Sequence, residues 1–159
     1  MTTIIPAALS PRQLAEEVSR IAASPHEWTS RVRLSAEGRW YERIHVDESY
    51  EVWLISWLPG QATGFHDHGG SAGAFGVVWG TLEERRPGPA RRAHEVTAAD
   101  ITAGRVRSFG PEFIHDVRNA SQVVAVTVHA YSPPLTEMNR YDLTRDGLVM
   151  LDTEAAAQW

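Results

Sequence analysis

From Arg39 to Tyr131 the chain runs through short segments rich in Val, Ile, Trp, Tyr and Phe, punctuated by Gly or Pro. They read RWYERIHV (39–46), YEVWLISWL (50–58), AFGVVWG (74–80), TLEERR (81–86), AHEVT (93–97), VRSF (106–109), HDVRN (115–119) and VVAVTVHAY (123–131). Segments of this kind are strands, and many short strands at even spacing predict a sandwich or a barrel closing on itself. Two more are expected after Pro133-Pro134, at RYDLT and GLVML, before an Ala-rich end. The first third reads differently. Ser10-Pro11 with Gln13 is a helix start, and Leu14, Val18 and Ile21 then share one face. Ser24-Pro25-His26-Glu27 repeats the signal and predicts a second short helix through about Val32. The expectation is one domain over 1–159, mainly β, with a helical part at about 10–33 and a barrel at about 39–151.

At 159 residues the chain can bury one full core. It has no cysteine, which excludes disulfides, thiolate metal sites and a cysteine nucleophile. The net charge of -5 argues against nucleic acid as a partner. The Arg pairs of EERRPGPARRAHE (83–95) are offset by Glu83, Glu84 and Glu95, which predicts a solvated hairpin tip. The N-terminus lacks a basic stretch and a long apolar run, and no segment approaches the roughly 18 apolar residues of a membrane span. A cytoplasmic protein without membrane partners is therefore expected.

Chemistry concentrates in GFHDHGG (64–70). On a strand, residues two apart share a face, so His66 and His68 would converge on one metal while Asp67 points away to fix a turn. The framing resembles the two-part motif of the cupin family. Gly60, His66, His68 and Gly80 match its first part, with Gly73 where a glutamate ligand would stand, and His115 and Asn119 match the end of its second. The resemblance implies a jelly-roll β-barrel, with His66, His68 and His115 as metal ligands. Three neutral imidazoles leave the charge of a divalent metal uncompensated, which favours an anionic substrate. Imidazole suits Fe, Zn, Cu and Ni alike, so the ligands do not choose the metal. His26, His45 and His94 have no such framing and are read as ordinary residues, as are Trp40, Trp53, Trp57 and Trp79 as core or interface aromatics.

A sharper resemblance joins WYER (40–43), HDH (66–68), HDVRN (115–119) and TVHAYSPP (127–134). In that order they are similar to the thiol dioxygenases, specifically bacterial-type cysteine dioxygenases. The resemblance implies iron(II) as cofactor, one per chain, on the three histidines, and an outer relay of Thr127, His129 and Tyr131. It implies that Arg43 binds the substrate carboxylate, with Tyr41 beside it. Animal members link a cysteine covalently to the active-site tyrosine; here Gly73 stands at that position, so no thioether can form and Tyr131 acts unmodified. The implied reaction is oxidation of L-cysteine by O2 to cysteine sulfinic acid, with a small thiol and O2 as partners and a monomer rather than a homodimer as the working form. Two alternatives stand beside it: 3-mercaptopropionate or another small thiol as substrate, and a non-redox metal cupin, either isomerase or sensor.

Overall fold

A computed structural model describes residues 6–89 and 95–155. His94 and the tip of the 83–95 hairpin lie outside them. Helix α1 spans Pro11–Ala22. Its capping box forms as the sequence predicts, with Ser10 Oγ accepting from the Gln13 amide at 3.2 Å and Gln13 Oε1 accepting from the Ser10 amide at 2.9 Å. Leu14, Val18 and Ile21 are buried. The second helix does not form. Two 3-10 turns, Pro25–Glu27 and Thr29–Arg31, take its place, with Trp28 between them at φ -132°. Burial of the Trp28 indole in the core under α1 outweighs the start signal of Ser24, whose side chain makes no capping bond. Among the described residues, no helix is long and apolar enough to cross a membrane.

The strands are β1 (Trp40–Val46), β2 (Glu51–Trp57), β3 (Phe65–His66), β4 (Ala72–Trp79), β5 (Thr81–Pro87), β6 (Val96–Thr102), β7 (Val106–Phe109), β8 (Asp116–Arg118), β9 (Ala125–Ser132), β10 (Glu137–Thr144) and β11 (Gly147–Ala155). One sheet has the order β1-β2-β9-β4-β7; two three-stranded sheets run β11-β10-β3 and β6-β5-β8. Bridges between His66 and His115 and between Ala62 and Arg118 join the smaller sheets along β3 and β8. A barrel-like sandwich results, as the segment spacing predicts.

Strand β9 is buried along its whole length because both its faces are covered. Val126, Val128 and Ala130 pack beneath α1 with Leu14, Val18 and Ile21. The alternate positions, Ala125, Thr127, His129 and Tyr131, turn toward the barrel interior, where Trp57, Phe75, Leu82, Phe109 and Val117 are buried. The helix can lie this close because β4 carries Gly76, where a β-carbon would stand 2.9 Å from Val18 Cγ1.

Candidate metal centre

His66, on β3, and His115, one residue before β8, face each other and exchange both backbone hydrogen bonds, at 3.0 and 3.2 Å. Their side chains are thereby held side by side on one antiparallel bridge. His68 lies beyond the end of β3, not on it. Directly after it the chain turns at Gly69-Gly70, both at positive φ, and the Ser71 amide closes the turn onto the His68 carbonyl at 3.1 Å. A β-carbon at Gly69 would lie 2.4 Å from the Glu137 carbonyl oxygen, so only glycine fits. Asp67 locks the same stretch. Its Oδ1 accepts from the amides of Gly69 and Asn139, and its Oδ2 from Asn139 Nδ2 at 3.0 Å and the Tyr141 hydroxyl at 2.6 Å. Fixing a turn is the role the sequence suggests for Asp67.

The three rings form a nearly equilateral triangle, with centroids 4.8, 4.9 and 5.1 Å apart. One ligand atom from each lies within 4.8 Å of the others, and all three residues are buried. Two tautomers follow from partners that only accept. His66 Nδ1 lies 2.9 Å from the Gly64 carbonyl, and His115 Nδ1 lies 3.0 Å from Glu84 Oε1. Each Nδ1 therefore carries the proton, and each Nε2 keeps its lone pair for a metal. His68 has neither ring nitrogen hydrogen-bonded, although both are buried. An orphaned buried polar group costs about 1–3 kcal/mol, which coordination would offset. These residues fit a divalent transition metal. Burial holds all three imidazoles neutral: it lowers the His66 pKa to about 4, and that of His68 and His115 well below the ordinary value, with the neighbouring imidazoles adding to the effect.

Glu84 is a site residue that the sequence reading misses. The sequence groups it with the solvated charges of the 83–95 hairpin, yet it is only 2% exposed. Alternation along β5 turns Leu82 and Glu84 inward together. Its second oxygen pairs with Arg86 at 2.9 Å. A carboxylate thus stands behind His115, although the position of the missing ligand glutamate is Gly73.

The side chains of Thr127, His129 and Tyr131 form a hydrogen-bonded chain. Thr127 Oγ1 is 2.8 Å from His129 Nε2, and His129 Nδ1 is 3.2 Å from the Tyr131 hydroxyl. Trp57 adds an unforeseen link, its Nε1–H donating to Thr127 Oγ1 at 2.9 Å. An indole only donates, so Thr127 Oγ1 accepts from Trp57. Thr127, fully buried, has no other side-chain partner among the described residues than Trp57 and His129, so its own proton goes to His129 Nε2. His129 Nδ1–H then donates to Tyr131, leaving the phenolic proton free to point elsewhere. Burial, then the charge of Arg39, lowers the His129 pKa to about 3, while burial raises that of Tyr131, so both are neutral at pH 7.

Gly73 pairs with Tyr131 across β4 and β9. A β-carbon there would lie 2.4 Å from Phe109 Cζ and 3.0 Å from Tyr131 Cδ1. The space a cysteine would need is filled by Phe109, which also stacks on His68 at 4.5 Å.

A cavity of about 210 Å³ opens onto this cluster, with Tyr41, Trp57, His66, His115, His129 and Tyr131 on its wall. Arg39 and Arg140 also line it. Arg43 does not belong to the wall: it is paired with Glu51 and lies over the Trp53 ring. His45, read as ordinary, pairs with Asp47 at the surface.

The family model for cysteine dioxygenase type I matches residues 10–144. The chain belongs to that family. Among curated proteins none matches it. Solved structures share its fold. The protein TT1209 from Thermus thermophilus is similar at 23% identity over 67% of this chain and 93% of that one, with a TM-score of 0.58. A protein with a double-stranded β-helix domain from Klebsiella pneumoniae is similar at 16% identity over 78% and 93%, with a TM-score of 0.57. An RmlC-like cupin protein from Desulfovibrio desulfuricans follows at 19% identity over 69% and 96%, TM-score 0.57. This member of the cysteine dioxygenase type I family is thus a mainly β cupin whose three clustered histidines could hold a metal ion.

Proposed function

We propose that the chain is an iron(II)-dependent thiol dioxygenase that converts L-cysteine with O2 to cysteine sulfinic acid, and that 3-mercaptopropionate is its nearest competing substrate. The observation that carries this reading is the conjunction of three clustered imidazoles, two of them on the wall of one small cavity, with a directed phenol on the same wall. His66, His68 and His115 would hold the iron. When bound there it supplies the redox chemistry that brings a thiolate and dioxygen together, both oxygen atoms passing to sulfur. The thiolate itself provides the electrons that dioxygen takes up, so no external reductant is required.

The remaining work falls to the chain's own side chains. Glu84 fixes the tautomer of His115 and makes its imidazole a stronger donor. The substrate's thiolate supplies the negative charge that three neutral imidazoles lack. Trp57, Thr127 and His129 orient Tyr131 so that its O–H donates into the cavity, to an oxygen or sulfur of the reactants. Tyr41, edge-on to Trp53 at 5.8 Å, forms part of the wall with it.

Oxygen uptake by iron(II)-loaded protein, with L-cysteine and 3-mercaptopropionate side by side and the product weighed by mass spectrometry, tests the proposal. A thiol-dependent uptake giving a product heavier by two oxygen atoms supports it, and the ratio of the two rates assigns the substrate. Stoichiometric iron with no uptake on either thiol overturns it.

A further inference from the structure

A second cavity, of about 170 Å³, is lined by Glu84 and Arg86 of β5, Thr97, Ala98 and Ala99 of β6, and Arg107 of β7. None of the three clustered histidines is on its wall. Antiparallel pairing sets Ala99 opposite Glu84 and Thr97 opposite Arg86, so these four side chains share one face of the sheet. Alanine is a poor strand former, and opposite Glu84 its single methyl leaves open the space that a longer side chain would fill.

The charges around this cavity do not balance. Among the described residues Glu84 is the one carboxylate on the wall, and two guanidiniums lean on its Oε2. Arg86 is fastened to it through Nη2 at 2.9 Å and Nε at 3.3 Å. Arg107 is not: its Nε stands 3.8 Å away, beyond hydrogen-bond distance, and is buried without a partner. The other oxygen of Glu84 is taken by His115. Both arginine side chains stay open to solvent, at 45% and 42% exposure, so a dissolved ion can reach them. The cavity also communicates with the metal centre. Arg86 Cζ lies 5.1 Å from the centre of the Phe113 ring, which packs 4.9 Å from the ring of His115. Burial first, then the neighbouring imidazoles, then the charge of Arg86 lower the His115 pKa.

We propose that this cavity binds a small oxyanion of the phosphate or sulfate type on Arg86 and Arg107, and that the bound anion tightens the metal centre through Glu84 and His115. Two guanidiniums against one carboxylate leave a positive charge over, and the guanidinium fork matches the paired oxygens of such an ion. The anion takes up guanidinium charge that otherwise offsets Glu84. More of the carboxylate's charge is then felt by His115, whose Nε2 becomes a stronger donor to a metal. By reciprocity the metal tightens the anion by the same factor. Only the three-histidine site is needed, and neither a thiol nor dioxygen takes part, so the reaction proposed above is tested separately.

Calorimetric titration with sodium sulfate, at an ionic strength held constant with sodium chloride, measures the anion. Competition of cobalt(II) with a chelator, with and without sulfate, measures the coupling. Saturable sulfate binding is expected, weakened about tenfold or more in Arg107→Gln and in Arg86→Gln. Cobalt(II) affinity is expected to rise about threefold to tenfold at saturating sulfate. Glu84→Gln removes the competing charge and keeps the shape. It is expected to bind sulfate more tightly and to abolish the effect of sulfate on cobalt(II), an opposed pair of changes that a merely structural carboxylate would not give. Arg107→Lys, which keeps the charge and loses the fork, is expected to fall between, and it keeps the test informative if Arg107→Gln folds poorly. No saturable sulfate binding, or parent-like binding by Arg107→Gln, Arg107→Lys and Arg86→Gln, overturns the site. Sulfate bound at the two arginines with cobalt(II) affinity unchanged overturns the coupling. Failure of the unmodified protein to bind cobalt(II) overturns the coupling and the metal centre together.

Discussion

Oε1 of Glu84 accepts a hydrogen bond from Nδ1 of His115 at 3.0 Å, and both side chains are out of contact with solvent. A carboxylate placed behind a ligand imidazole transmits part of its charge to whatever the imidazole binds. A site with no carboxylate among its ligands thereby retains one at a distance of one ring.

Glu84→Ala should lower metal affinity by about 10- to 100-fold, measured by competition with a chelator. Metal-free protein should lose about 1–3 kcal/mol of stability, since the His115 N–H and the Arg86 guanidinium lose their shared acceptor. Unchanged affinity would mean that Glu84 is merely a buried ion-pair partner.

His68→Phe should abolish metal binding while leaving the metal-free fold at least as stable, as read by thermal unfolding. Both ring nitrogens of His68 are unpartnered, and its ring is stacked on Phe109 at 4.5 Å and on Tyr131 at 5.4 Å. An apolar ring in the same slot keeps the stacking and removes the unsatisfied groups.

Trp57→Phe should lower kcat on the order of tenfold, less than the ~10²-fold or more expected when a positioned proton donor is lost outright. Without the indole donor, Thr127 Oγ1 loses the bond that holds its rotamer, its proton is less firmly aimed at His129 Nε2, and the orientation of Tyr131 loosens. In a Tyr131→Phe background the same change should cost little more, because the two act through one chain. Additive losses would disconnect Trp57 from Tyr131.

Metal-free protein should become less stable as the pH falls below about 6.5. His66 and His129 have their pKa lowered in the fold, to about 4 and about 3, from 6.5. The unfolded chain therefore binds protons that the folded chain refuses, and stability present above pH 6.5 is lost progressively as the pH drops toward 4 and below. Denaturant midpoints measured between pH 7 and pH 4 check the sign.

What was legible in the sequence followed local chemistry. The capping box at Ser10 and Gln13 needs only its own residues, and it forms. His66, His68 and His115 are of one type at a spacing that strand pairing and a glycine turn can close. What was not legible depended on neighbours distant in the chain. Ser24 signals a helix start, but Trp28 is claimed by the core. Glu84 sits among arginines that look solvated, and only the pairing of β5 with β8 brings it to His115. Trp57 reads as a core aromatic, which it is; its N–H matters because Thr127 is its partner on β9. Residues 39, 41 and 43 all fall on one face by alternation, and the chain alone does not say which guanidinium already has a counter-ion.

The carboxylate of Asp67, lying between His66 and His68, is also the clasp of β10, through Asn139 and Tyr141. Ion occupancy and the closure of β10 onto β3 are therefore expected to be coupled through Asp67. Reciprocity requires that whatever free energy the hairpin lends to the ion, the ion returns to the hairpin. Hydrogen exchange in the amides of β10 should slow as the metal concentration rises, which makes the C-terminal hairpin a reporter of an ion it never touches.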